Sequence, residues 1–153
     1  MTYAFRYIFI VMFGLTVAMV SPALADKDMI YTSTFSNTAV SGYDPVAYFT
    51  EGRPVKGKGD FEYEWNGVTW KFSTQANLDM FKSSPEAYAP QFGGYCAWAV
   101  SQGYTASTDP EAWTIVGDKL YLNYSKDVRA MWLGDVPGNI AKGNVNWPNV
   151  LKK

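Results

Sequence analysis

Chemistry has few places to reside in this chain. The sequence holds one cysteine and no histidine, and that cysteine, Cys96, stands in the run Gly93-Gly94-Tyr95-Cys96-Ala97-Trp98-Ala99. Two glycines let a ligand approach the backbone closely, and a thiol in the first turn of a helix is activated by the dipole and the unpaired N–H groups there. Such a thiol is a candidate Cu(I) ligand, with a thioether such as Met80 or Met131 beside it, or a redox group. The opposing reading makes Cys96 a small buried hydrophobe that, with Ala97 and Ala99, lets its helix pack tightly. The second is preferred, because an exposed free thiol is a liability in an oxidising compartment and no general base accompanies it.

Without histidine there is no Ser-His-Asp or Cys-His arrangement and no imidazole metal ligand. Carboxylates are present at Asp44, Asp79, Asp109 and Glu111, but Asp44-Pro45 and Asp109-Pro110 read first as turn starters. Tyr43, Asp44, Tyr95, Cys96 and Trp98 are the candidate binding residues. Arg53, Lys56 and Lys58 form the nearest thing to a basic patch, in a glycine-rich loop with no Walker spacing. Nucleic acid is not an expected partner, since phosphate contacts need clustered cations. The expected partner is a protein or a small ligand.

The first 25 residues read as an export signal. Arg6 precedes an apolar run from Tyr7 to Val20, and Ser21-Pro22-Ala23-Leu24-Ala25 ends in an A-x-A cleavage site. The run is too short for a retained membrane anchor. A mature chain of residues 26–153, one domain, is expected in the periplasm or outside the cell, with no stable membrane span. It carries 12 basic and 14 acidic residues. One cysteine cannot form an internal disulfide, so stability must come from packing, and 9 Phe, 11 Tyr and 6 Trp supply it.

Those aromatics are patterned. Phe61 to Trp65 and Val68 to Phe72 alternate apolar with polar on either side of Asn66-Gly67, a strong hairpin signal that pairs Trp65 with Val68, Tyr63 with Trp70 and Phe61 with Phe72. Glu62 then faces Lys71. Trp113 to Val116 and Lys119 to Tyr124 flank Gly117-Asp118 in the same way, with Trp113 opposite Leu122 and Ile115 opposite Leu120. Helices are expected from a Ser73 or Thr74 cap to about Ser83, with Leu78 and Phe81 inward, and from Tyr95 to Gln102, with Cys96, Ala99 and Val100 inward. Two more are expected, from Ser125 with Val128, Met131 and Trp132 inward, and from Pro137 with Ile140, Ala141 and Val145 inward. The fold class is α+β, a small antiparallel sheet built from two β-hairpins and covered by three or four short helices.

Ser41-Gly42-Tyr43-Asp44-Pro45-Val46-Ala47, the Gly67 hairpin, Trp70-Lys71-Phe72-Ser73, Phe81 and Pro85-Glu86-Ala87-Tyr88 resemble the YHS domain. Gln91 to Gly103, Trp113 to Tyr124 and Asn146-Trp147-Pro148 are similar to the extension of exported, single-domain bacterial members. The resemblance implies a zinc-ribbon-like module, whose metal-associated branch carries three cysteines. Here Ala47, Ser73 and Asn77 stand at those positions. No thiolate remains, and a methyl, a hydroxyl or an amide does not replace it for Zn²⁺ or Cu(I). Ser73 and Asn77 are expected to serve as a helix cap and a first-turn polar residue. The expected function is an exported, non-catalytic binding or interaction module without a cofactor, and the alternative is a copper-binding or thiol redox protein centred on Cys96.

Overall fold

A computed structural model describes residues 26–152; the expected export signal lies outside them. The chain is α+β. Strands β1 (Lys58–Trp65) and β2 (Val68–Phe72) form one hairpin, and β3 (Asp109–Val116) and β4 (Lys119–Asn123) form another. They do not merge: each hairpin is its own two-stranded sheet. The outer edge of β2 is taken instead by residues 37–39, where Ala39 N–H donates to the Thr69 carbonyl and Thr69 N–H to that of Asn37, each at 2.9 Å.

The expected register holds at Trp65/Val68, Tyr63/Trp70, Trp113/Leu122 and Ile115/Leu120. Glu62 opposes Lys71 and its carboxylate lies 2.9 Å from the ammonium. Phe61 does not oppose Phe72: a bulge between Lys58 and Glu62 gives that place to Lys58. Gly57, just before the strand, explains the tight entry, since a Cβ there would lie 2.5 Å from Lys71 Cβ.

Among the described residues six α-helices cover the hairpins, more than the three or four expected: α1 (Ala47–Thr50), α2 (Gln75–Ser83), α3 (Pro85–Tyr88), α4 (Ala97–Ser101), α5 (Lys126–Leu133) and α6 (Val136–Asn146). The additional ones, α1 and α3, are single turns. Pro85 opens α3 as well as following α2, which suits its fixed φ at a helix start. Thr74 and Ser125 cap α2 and α5 by accepting from Asn77 N–H and Val128 N–H.

There are two hydrophobic clusters, and β4 divides them. Leu120 and Leu122 face the first, with Val46, Tyr48, Trp70, Phe72 and Phe81. Phe81 lies at 4.9 Å from the Trp70 ring and 5.1 Å from that of Phe72, so α2 is fastened to the first hairpin by aromatic packing. Tyr121, on the opposite side of β4, joins Phe92, Tyr95, Val100 and Trp132 in the second cluster. The alternation of a strand buried on both faces delivers one set to each core.

Two helical faces differ from expectation. Of the three α5 residues expected inside, Trp132 is fully buried, Val128 is half-buried and Met131 is exposed. On α6 the buried residues are Asn139 and Gly143, while Ala141 and Val145 face solvent. Gly143 sits under Phe92, where a Cβ would come within 2.6 Å of the ring. Asn139 donates to the Trp132 carbonyl at 2.9 Å, so close approach and a buried hydrogen bond override apolar periodicity there.

Candidate functional site

The five candidate binding residues are divided between the two cores. Tyr43 and Asp44 lie beside the first; Tyr95, Cys96 and Trp98 lie beside the second. Tyr43 is half-buried, with Lys56 Nζ 6.0 Å from its ring centre. Tyr95 is buried between Tyr31 and Trp147, its hydroxyl donating to the Asp28 carbonyl at 2.9 Å. Burial, then the Asp28 carboxylate, raises the Tyr95 pKa above the ordinary tyrosine value.

Asp44 is 0% exposed. Its Oδ1 accepts from Val46 N–H at 2.9 Å and Ala47 N–H at 3.2 Å. Its Oδ2 accepts from Ser73 N–H at 2.8 Å, Ser73 Oγ–H at 2.6 Å and Asn77 Nδ2–H at 2.7 Å. All three positions at which the resemblance implies cysteines therefore converge, on a carboxylate. Ser73 is not the helix cap, a role Thr74 takes; its side chain and that of Asn77 turn inward to Asp44. Every partner of the Asp44 carboxylate is a donor, the complement of an acceptor-only group, and a soft cation would meet N–H and O–H hydrogens rather than lone pairs. The residues present do not fit the implied metal. Among the described residues no three His, Cys, Asp or Glu side chains cluster as metal ligands.

Cys96 is 1% exposed and precedes α4 rather than lying inside its first turn. Its Sγ accepts from Tyr124 N–H at 3.3 Å and lies 3.7 Å from Asn123 Oδ1. That same Oδ1 takes the Trp98 N–H at 3.1 Å, so Asn123, reaching over from β4, satisfies one N–H in the first turn of α4. Gly93 lies against a segment of its own chain. A Cβ there would lie 1.9 Å from the Met29 carbonyl oxygen, and Tyr31 N–H donates to the Gly93 carbonyl at 2.8 Å; the close approach is to the segment Met29 to Tyr31.

Beside Cys96 is an open cleft of about 280 Å³, lined by Trp98, Tyr104, Tyr124, Val128 and Met131 together with Cys96 itself. Tyr104, Tyr124 and Met131 are more than half exposed. Sequence reasoning missed Tyr104 and Tyr124, which carry no motif; their only sequence signal is that an aromatic residue stands in a stretch outside the expected strands and helices, or at the end of one. Met131, proposed as a partner for the thiol, does share the cleft with Cys96, whereas Met80 packs on the first core.

The family model of the YHS domain matches residues 46–92. Over these residues the chain carries the YHS domain that its motifs resemble, with Ala47, Ser73 and Asn77 inside the matched span and Asp44 and Cys96 outside it. No curated protein and no solved structure matches the chain. None of the helices among the described residues is long and apolar enough to cross a membrane.

Proposed function

We propose that this chain is an exported, non-catalytic binding or interaction module, in which the family's metal position has become part of the core and the cleft beside Cys96 receives a protein segment or a small ligand. The observation that carries this reading is the saturation of Asp44: Ser73, Asn77 and the N–H of Ala47 are all spent on one internal carboxylate. The cleft supports the binding role, because exposed aromatic and thioether surface around a concave site is suited to apolar contact. The absence of histidine, the commonest general base, argues against turnover.

The test is metal analysis of the purified protein after exposure to Zn²⁺ and to Cu(I), with Cys96→Ser in parallel. The expected result is no stoichiometric metal in either protein. Because Met131 and Cys96 line the same cleft, a second reading stands beside the first: a Cu(I) or thiol redox site. About one equivalent of Cu(I) that disappears in Cys96→Ser establishes the second reading and ends the first. Export is tested by the mass of the mature protein from the native host, which is expected to begin at Asp26.

A further inference from the structure

The mismatch between the implied metal and the residues in its place has a definite chemical sense. Thiolates around a cation would present lone pairs inward. Here five donors point inward, two to Oδ1 and three to Oδ2 of Asp44, at 2.6–3.2 Å. We propose that this is an oxyanion cradle with its ligand built in: the polarity of the site is reversed, and the group it takes is a small carboxylate, supplied by the chain itself.

A local turn does not account for the arrangement. An aspartate ahead of a single helical turn explains the bonds from Val46 and Ala47 to Oδ1. It does not explain Oδ2, which collects three donors from residues 29 and 33 positions away. Nor is this a solvated surface cluster, since Asp44 is wholly buried and Ser73 and Asn77 are 6% and 7% exposed. A carboxylate so placed persists only if the protein replaces the hydrogen bonds of water, and the cradle does so with donors on both oxygens. The inference goes beyond the binding role given to the cleft and does not depend on it, because no cleft residue takes part.

The experiment removes the built-in carboxylate and offers a free one. Asp44→Gly is expected to lower Tm by about 10 °C or more, as buried donors lose their acceptor. Sodium formate is expected to recover part of that loss, or to restore folding, where sodium chloride at equal ionic strength does not, and to leave the native protein's Tm unmoved. A variant that formate neither folds nor stabilises, or an equal formate effect on the native protein, overturns the proposal. A second pair needs no refolding from a cavity: Asn77→Asp, which puts a second carboxylate against Oδ2, is expected to lower Tm more than Asn77→Ala. The reverse order, or a native Tm raised by Zn²⁺ and lowered by a chelator, also overturns it.

Discussion

Asp44 and Asn123 are both wholly buried, and each holds together segments at least 25 residues apart in sequence. Asp44 is used to completion, with five donors on its two oxygens. Asn123 is used by half: its oxygen serves Cys96 and Trp98, while its Nδ2 has no hydrogen-bond partner among the described residues, as is true of nearby-core Trp132 Nε1. A buried polar group left unpaired costs about 1–3 kcal/mol. The first region directs its polar groups to one internal carboxylate, whereas the second lies beside an open apolar cleft. Closed structure and adaptable surface have separated along β4, with the YHS-matched residues lying mostly on the closed side.

The sharpest way to break that contrast is to perturb the two regions in turn. Asp44→Ala is expected to cost about 3–5 kcal/mol in urea unfolding, because several buried neutral donors lose their acceptor at once and each costs about 1–3 kcal/mol at most. Gly93→Ala comes next, at about 3 kcal/mol, because a methyl would overlap the Met29 carbonyl at a position of φ +61°. This shows whether the second region, too, has a rigid edge. Cys96→Ala is expected to cost only about 1 kcal/mol, since the sulfur accepts a single backbone bond and little volume is lost. If it matches Asp44→Ala, the two regions are not different in kind.

Alkaline titration sharpens the comparison further. Tyr48 belongs to the first core, and burial, followed by the Glu111 carboxylate, raises its pKa well above the ordinary value; burial also raises that of Tyr121 in the second. An unfolded tyrosine ionises near pH ~10 while these retain their protons, so above that pH the unfolded state binds fewer protons and stability falls. The contribution is complete below pH ~10 and is lost as pH rises through the folded values. Tm measured from pH 8 to 12 is expected to drop at the upper end, and Tyr48→Phe to shallow that drop, with a neutral-pH cost of about 1 kcal/mol for the bond to the Pro110 carbonyl. The smallest effect is assigned to Tyr104→Ala on the cleft rim: within about 0.5 kcal/mol of native stability, with the consequence confined to ligand capture.

What could be read from the sequence was local. Alternation around Asn66-Gly67 and Gly117-Asp118 set the register of both hairpins, and Thr74 and Ser125 announced their helices, because these signals act over a few residues. The bulge at Lys58–Glu62 was hidden by the same alternation, which offered Phe61 as a reasonable partner for Phe72. The inward face of α6 was only partly legible: Ile140 packs on the second cluster as expected, but Gly143 and Asn139 are inside for want of bulk and for a hydrogen bond, neither of which apolar periodicity records. The site was half legible. Ala47, Ser73 and Asn77 could be placed from the resemblance, but their convergence on Asp44 depends on hydrogen bonds spanning up to 33 residues. The cleft depends on Tyr104, Tyr124 and Met131 meeting from separate segments.

The hydrogen bond from Lys27 N–H to the Leu151 carbonyl, at 2.9 Å, brings the two ends of the described residues, 26–152, side by side. A short linker across that gap would turn the domain into a continuous loop, which could be cut anew at Gly117-Asp118, where both residues are exposed and a Cβ on the glycine would touch nothing within 4 Å. A circular permutant made in this way keeps both aromatic cores and presents its ends on the far side of the β3–β4 hairpin, giving a second orientation for fusions or immobilisation without altering the cleft or Asp44.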